Sequence, residues 1–262
     1  MRVWLFYIGF YCLIRQTIDM KSSPKVDIIF RRFEFFFVSQ LLAVPVFTYQ
    51  LLVNAKFEAT RVVPFVFSWL WRTKIEIRGE ILNENCVIVC NHQSGLDICP
   101  LLKFIPYHGS VVTKASLAKS LGPVSVIFHK LGLTFIDRTD RQKALATMSS
   151  IEKRLASNEK YCIVIFPEGT RAPTKELLPF KVGAFQTALR ARVPVVPIVI
   201  ANHEDYAGRD VLPIQILDPI YSNENVNSDD ISAAAKELSL ETRQKMAICY
   251  KNLSGNIATA KS

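Results

Sequence analysis

Apolar residues follow two different patterns along the chain. Up to about residue 73 they form long runs, of which 3–14 and 35–55 carry no charged side chain. As a helix, the second run would extend about 31 Å, enough to cross the roughly 30 Å hydrocarbon core of a bilayer, whereas the first is too short. We therefore predict that residues 1–73 form an N-terminal domain of hydrophobic membrane-anchoring helices.

The sequence leaves open how the run 35–55 enters the membrane. Pro45 interrupts its middle and basic residues flank both of its ends, whereas a spanning helix is expected to show an asymmetry of positive charge. A kinked helical pair that re-enters one leaflet and a single span are the alternatives, and we favour the first. The next apolar run, 62–71, is too short to cross, and its Trp69 and Trp71 suit a membrane–water interface.

From Lys74 onward, short apolar runs alternate with amphipathic helical stretches. This alternation is typical of an α/β domain with a mostly parallel central sheet flanked by helices, which we assign to residues 74–262. Thr139 and Gln142 have the spacing of a capping box at the start of one helix. The predicted strands lie at 74–79, 86–91, 110–115, 133–138, 161–169, 194–200 and 211–220, and the predicted helices at 94–105, 116–131, 140–157, 180–191 and 229–252.

The charge distribution favours a membrane surface as partner. The net charge is +9, and residues 1–75 hold ten Lys and Arg against four Asp and Glu. Basic residues that border apolar segments suit an anionic bilayer surface. They form no basic stripe with interspersed aromatic residues, so we predict no nucleic-acid partner. The cysteines form no CxxC pair, and Cys86, Cys90 and Cys162 lie in apolar strand-like runs, where reduced thiols pack as small hydrophobic groups.

Candidate chemistry lies at the ends of the predicted strands. Ligands of open α/β sheets bind beyond the carboxyl ends of the strands. Reading outward from those ends, we expect one histidine, one carboxylate and three cations to gather at one edge of the sheet. These residues are His92, Lys114, Arg138, Glu168 and Arg171.

The segment "NHQSGLD" places His92 five residues before Asp97. If Asp97 accepts Nδ1–H, that bond fixes the tautomer and leaves Nε2 as a base. The chain contains no G-x-S-x-G nucleophile elbow, so such a base would act on a substrate hydroxyl. The alternative is that Asp97 lies in the first turn of a helix while His92 merely ends a strand.

Four motifs carry a family resemblance. "NHQSGLD", "GLTFIDR", "FPEGTR" and "VPVVPIVI" stand in the order and approximate spacing of the four blocks of the glycerolipid acyltransferase superfamily. Within this superfamily, the sequence resembles most closely the 1-acylglycerol-3-phosphate (lysophosphatidate) acyltransferases. The resemblance covers residues near 75–202. The resemblance implies an enzyme that moves an acyl chain from acyl-CoA to the free hydroxyl of lysophosphatidate and so forms phosphatidate.

The resemblance also implies roles for matched residues. His92 resembles the general base and Asp97 its orienting partner, while the block at 193–198 resembles one linked to the acyl donor, although its apolar residues also suit a core strand. Residues that resemble the binding site for the glycerol and phosphate of the acceptor are Arg138, Glu168, Gly169, Thr170 and Arg171.

Two lysines and two departures complete the predicted site. We add Lys114 from its strand-end position and Lys181 from "LPFKVGAF", with a solvated surface lysine as an equal alternative for each. Val182 stands where relatives often have a second basic residue, so the resemblance implies a phosphate pocket with one cation fewer. Gly95 replaces a commoner serine at the start of the predicted helix.

These considerations define the expected function. The reaction needs acyl-CoA as co-substrate, and we predict neither a cofactor nor a metal. The expected partners are acyl-CoA, lysophosphatidate and the lipid bilayer, in an endoplasmic-reticulum membrane with the catalytic domain facing the cytosol. The same chemistry on glycerol-3-phosphate or a lysophospholipid is an alternative, as is a non-catalytic membrane protein that binds anionic lipid.

Overall fold

The computed structural model describes residues 62–103, 105, 109–121, 125, 129, 132–137, 139–171, 176–201, 211–221 and 230–259. Both long apolar runs, 3–14 and 35–55, lie outside the described residues. Within the described ranges, no helix is long and apolar enough to cross a bilayer.

One seven-stranded sheet forms the centre of the described part of the chain, with the strand order β1-β7-β6-β2-β5-β3-β4. The strands are β1 (Lys74–Arg78), β2 (Cys86–Cys90), β3 (Gly109–Lys114), β4 (Leu133–Ile136), β5 (Cys162–Ile165), β6 (Val195–Ile200) and β7 (Val211–Ile216). The described helices are α1 (Val62–Trp71), α2 (Ile98–Leu101), α3 (Ala115–Leu121), α4 (Arg141–Leu155), α5 (Gly183–Ala191) and α6 (Ile231–Thr259).

Strand direction confirms a mostly parallel sheet. Strand β2 pairs in parallel with β5 and β6, and β3 pairs in parallel with β5 and β4. Only the β7–β6 pairing is antiparallel among the described strands, and β1 follows β7 in direction. The carboxyl ends of five strands, β2 to β6, therefore meet at one edge, as the sequence predicts.

Both faces of the sheet are covered, which explains why its central strands are apolar throughout rather than alternating. Every residue of β2 is buried. Val87 and Val89 pack in the same cluster as Phe185 of α5 and Tyr250 of α6. The alternate residues of β2 face a second cluster, which Phe67 of α1 and other apolar side chains complete.

Helix α1 has two distinct faces. Phe67 is fully buried, Trp71 is 2% exposed, and their rings stack with centroids 5.1 Å apart. Phe65 and Trp69 point the other way and are 71% and 61% exposed. The interface prediction is therefore wrong for Trp71, because its ring fills the core beneath the sheet.

Two further local predictions differ from the structure. The predicted helix 94–105 shrinks to α2, because the chain before Ile98 forms a turn in which Asp97 N–H donates to the Ser94 carbonyl, 3.3 Å away. The start of α4 is capped by Asp140, whose side chain accepts from Lys143 N, and Thr139 instead donates to Asp137. The carboxylate is a strong N-cap in its own right.

The cysteines of the core pack as small buried side chains. Cys86, Cys90, Cys99 and Cys162 are free and buried, and Cys86 lies opposite Cys162 on the paired strands β2 and β5. Burial raises the pKa of Cys90 and of Cys99, while a hydrogen bond with Cys86 and then burial raise the pKa of Cys162. With raised pKa values, Cys90, Cys99 and Cys162 remain protonated near neutral pH.

Candidate active site

The site begins at the carboxyl end of β2, which hydrogen bonds hold to the end of β6. Asn91 directly follows β2 and is buried. Its Nδ2 donates to the carbonyl of Ile200 at 3.0 Å, and its Oδ1 accepts from Ile200 N at 2.8 Å. Because this pair of bonds ties the end of β2 to the end of β6, the next residue, His92, leaves the sheet from a fixed point.

His92 and Asp97 form the predicted pair. The distance from His92 Nδ1 to Asp97 Oδ2 is 3.0 Å. The same oxygen accepts from Gln93 N at 2.7 Å and from Ser94 N at 2.8 Å. Asp97 is 1% exposed and makes no side-chain cap to its own helix. The carboxylate of Asp97 therefore binds the loop that carries His92. Its contacts differ from those of an acidic residue that only interacts with the first turn of a helix.

This geometry sets the chemistry of the imidazole. An oxygen that already accepts two backbone N–H groups acts as an acceptor toward Nδ1 as well, so the contact favours the tautomer of the neutral imidazole with its proton on Nδ1 and its lone pair on Nε2. The side chain of His92 is 19% exposed. Its ring stacks on Phe166 with centroids 4.1 Å apart. The ring is thus held by packing and by one hydrogen bond, and part of it faces solvent.

Glu168 connects the two principal motifs. Its Oε1 accepts from His92 N at 2.7 Å, and its Oε2 accepts from Leu178 N at 2.9 Å. The residue is 3% exposed. Burial raises the pKa of this carboxyl, and the two backbone N–H groups oppose the rise in part. Both oxygens accept from the protein backbone, so Glu168 connects the loop of His92 to the loop of Leu178. Contact of Glu168 with an acceptor stays a prediction.

Gly169 is favoured by its backbone conformation, and the side chain of Lys181 lies close to it. Its φ is +71°, in the left-handed region that favours glycine. A Cβ at this position would lie 2.6 Å from Lys181 Nζ. The amino group of Lys181 therefore lies against the motif, and the Lys181 backbone N–H donates to the Pro167 carbonyl at 2.8 Å. Lys181 is exposed, so it borders the site with its charge in contact with solvent.

Arg171 lies across the histidine loop. A Cβ built on Gly95 would be 3.0 Å from Arg171 Nη1. The glycine that departs from the family pattern thus leaves room for the guanidinium beside the loop that carries His92. Arg171 and the neighbouring Thr170 are both exposed.

The remaining predicted residues are farther from this centre or outside the described part. Lys114 is exposed at the end of β3, and β5 separates β3 from β2. By strand spacing alone it lies about 10 Å to one side of the histidine strand. Arg138 lies outside the described residues. The described residues contain no cluster of three or more His, Cys, Asp or Glu side chains that could hold a metal ion.

Several residues of the site are not among those that the sequence predicts. Asn91 and Phe166 stand inside the quoted motifs, and a polar or aromatic residue next to a strand end was a usable signal. Tyr250 and Arg243 of α6 gave no such signal. Gln93 Nε2 donates to the Tyr250 hydroxyl at 2.6 Å, and Arg243 donates to the carbonyls of neighbouring residues in the loop that follows the motif at 166–171.

Comparison with known proteins identifies the family. Residues 73–201 match the family model described as Acyltransferase. The chain is 29% identical over 226 residues to the 1-acyl-sn-glycerol-3-phosphate acyltransferase alpha of Ovis aries, covering 82% of this chain and 76% of the relative. It is 31% identical over 198 residues to the acl-1 protein of Caenorhabditis elegans, covering 71% of this chain and 74% of that protein. The chain belongs to the 1-acylglycerol-3-phosphate acyltransferase family. As a member of it, the protein is an enzyme, which excludes the non-catalytic alternative.

The fold agrees with a solved relative. The crystal structure of the 1-acyl-sn-glycerophosphate acyltransferase PlsC from Thermotoga maritima matches with a TM-score of 0.61 at 21% identity. The match covers 84% of this chain and 97% of that chain. The family match ends at residue 201, so helix α6 of this acyltransferase lies beyond it.

We predict that Glu168→Gln lowers the rate of acyl transfer and the melting temperature. An amide has one acceptor oxygen, so one of the two backbone N–H groups would face an NH₂ group. An unsatisfied buried donor costs about 1–3 kcal/mol. Thermal unfolding and initial rates of the purified variant measure both effects. Glu159→Gln, an exposed loop substitution, is the control. Equal melting temperatures and rates of the two variants would contradict a structural role of Glu168 between the two loops.

Proposed function

We propose that this enzyme transfers an acyl chain from acyl-CoA to the free hydroxyl of 1-acylglycerol-3-phosphate, forming phosphatidate. The observation that carries the proposal is the contact of 3.0 Å between His92 Nδ1 and a buried Asp97 oxygen that two backbone N–H groups also hold. The names of relatives from Ovis aries and Homo sapiens support the choice of acceptor.

The reaction follows from a base at Nε2. His92 Nε2 takes the proton of the acceptor hydroxyl as its oxygen attacks the carbonyl carbon of the thioester, and a carbon–oxygen bond forms. The tetrahedral intermediate collapses with cleavage of the carbon–sulfur bond. The CoA sulfur leaves and receives the proton that the imidazole holds, so the base is regenerated. Asp97 keeps Nδ1 protonated throughout and stabilises the imidazolium in between.

Cations near the base support a phosphorylated acceptor. The guanidinium of Arg171 lies beside Gly95, within the loop that carries His92, and the ammonium of Lys181 lies against Gly169. An arginine fork suits bidentate contact with phosphate, and a lysine adds a point charge. We propose that these two groups bind the acceptor phosphate, and that Arg138 and Lys114 add to the positive edge.

We also propose that the enzyme acts at a membrane, with residues 1–73 as anchor and 74–262 as catalytic domain. Support comes from the uncharged run 35–55 and from Phe65 and Trp69, which α1 exposes on one face. A lipid acceptor and a water-soluble donor require the catalytic edge to lie near the head groups. The reduced core cysteines and the CoA donor favour the cytosolic side, and we propose the endoplasmic reticulum as the membrane.

His92→Ala should abolish transfer while the purified protein stays folded and bound to detergent micelles. General base catalysis contributes about 10²–10⁴-fold. Asp97→Asn should also be severe, because an amide in place of the carboxylate no longer specifies the Nδ1–H tautomer. His129→Ala is the control, since His129 lies outside this site and contacts the Leu133 carbonyl. Acyl transfer by the His92→Ala variant at the wild-type rate would refute the role of His92 as general base.

Arg171→Ala should raise the KM for the phosphorylated acceptor by roughly 10- to 150-fold, because one charge-assisted contact is lost. The KM for acyl-CoA should change little. Arg171→Lys should restore only part of the effect, since lysine lacks the planar fork.

The acceptor prediction is checked by offering lysophosphatidate, glycerol-3-phosphate and zwitterionic lysolipids with labelled acyl-CoA. Arg190→Ala, on the exposed side of α5, is the charge-matched control for Arg171→Ala. Acylation of the zwitterionic lipids alone would contradict a phosphate pocket.

Membrane attachment should survive washing with high salt and yield to detergent, since apolar burial is insensitive to ionic strength whereas surface charge pairs are screened. In a protein that lacks residues 1–61, the double substitution Phe65→Ala and Trp69→Ala should weaken binding to vesicles below that of the truncated protein without these substitutions. Release of the full chain by salt alone would show that charge holds it on the membrane.

A further inference from the structure

Helix α6 lies beyond the family-matched segment and yet reaches the candidate active site. It packs against α5 and β6, and its Tyr250 and Met246 are buried in the cluster on one face of the sheet. Packing alone would require only apolar residues at such positions. Two polar side chains of α6 instead make hydrogen bonds to the loops that carry the site.

Tyr250 contacts the histidine loop. Its hydroxyl accepts from Gln93 Nε2 at 2.6 Å, and both residues are buried. The backbone N–H of Gln93 is one of the groups that donate to Asp97 Oδ2, at 2.7 Å. The hydroxyl of Tyr250 therefore holds the residue that in turn holds the orienting carboxylate.

Arg243 contacts the second loop, seven residues earlier on the same helix. Its Nε donates to the Leu178 carbonyl at 2.9 Å, and its Nη2 donates to the Leu177 carbonyl at 2.6 Å. The N–H of Leu178 donates to Glu168 Oε2, and Glu168 Oε1 accepts from His92 N. This chain of contacts also ends on the histidine.

We propose that α6 fixes the two catalytic loops relative to each other, with Tyr250 and Arg243 as positioning residues that set the orientation of the His92 imidazole. The inference rests on the proposed role of His92 as base. Tyr250 acts on the imidazole through Asp97, and Arg243 acts on the His92 backbone through Glu168. Two attachments from one rigid helix restrain both the position and the rotation of the ring.

Orientation of a base affects rate more than substrate binding. A displacement of about 1 Å at a reacting group can lower a rate by roughly 10²-fold. Loss of one attachment, with the other retained, should therefore lower kcat by about ten-fold, a smaller effect because the ring remains stacked on Phe166. KM for both substrates should stay within about two-fold, since neither Tyr250 nor Arg243 has a proposed contact with them.

The decisive experiment compares Tyr250→Phe with Tyr161→Phe in the full chain in detergent. Tyr161 is as buried as Tyr250, at 2% against 1% exposed. Its hydroxyl hydrogen-bonds with Ser110, and it precedes β5, at the sheet edge opposite to His92. Both variants lose one buried hydroxyl and should melt at similarly lowered temperatures. Only Tyr250→Phe should lose kcat, measured well below both melting temperatures.

Arg243→Lys tests the second attachment, with Lys245→Ala on the exposed face of α6 as its control. A lysine retains a single ammonium in place of the fork that contacts two carbonyls, so we expect a several-fold lower kcat with unchanged KM. Gln93→Met breaks the bond to Tyr250 from the other end. Because both substitutions remove the same bond, Gln93→Met combined with Tyr250→Phe should lose no more activity than the worse single variant.

The outcomes separate this inference from the proposed function. A fall in kcat confined to Tyr250→Phe and Arg243→Lys supports positioning by α6. Full kcat in both variants, an equal loss in Tyr161→Phe, or a rise in KM with kcat intact would overturn it, even while His92→Ala remains inactive. Wild-type transfer by His92→Ala would instead refute the proposed function itself.

Discussion

A single oxygen atom, Asp97 Oδ2, organises the candidate site. It accepts from Gln93 N, from Ser94 N and from His92 Nδ1 within 3.0 Å. A buried carboxylate is unfavourable unless donors surround it, so the donors of this loop stabilise Asp97 in its buried position. The same closure orients the imidazole of His92, whose side chain is 19% exposed. The hydrogen bonds that stabilise the loop are thus also those that would orient His92 as the proposed base.

The sheet makes this closure possible by bringing distant parts of the chain to one edge. Asn91 ties the last residue of β2 to the last residue of β6, and Glu168 ties the loop after β5 to the backbone of His92. Parallel strands with both faces covered leave only their ends for polar chemistry. The polar side chains at this edge therefore satisfy buried backbone groups first, and the exposed cations around them remain available to a ligand.

The fold was largely predictable because its signals are local. Runs such as residues 86–90 are apolar at every position, which indicates a strand covered on both faces, and strand direction then brings His92 and Glu168 together. The failures have physical causes. Helix 94–105 was overestimated because Asp97 organises a turn, and Trp71 was misplaced because hydropathy does not distinguish a core face from a membrane face. Tyr250 could not be found, since its partner Gln93 is 157 residues away in sequence.

The buried cysteines acquire a meaning from the chemistry proposed beside them. A reaction that splits a thioester presents an activated acyl group at every turnover, and a thiolate beside it would attack the carbonyl carbon and take the acyl chain as the CoA thiolate leaves. Cys90 and Cys99 flank the loop of His92, yet both are enclosed and their pKa values are raised. Burial keeps both thiols out of contact with the donor, and their raised pKa values keep them from forming thiolates. The same packing that shapes the core thus leaves the acceptor hydroxyl without competition from these two thiols for the acyl chain.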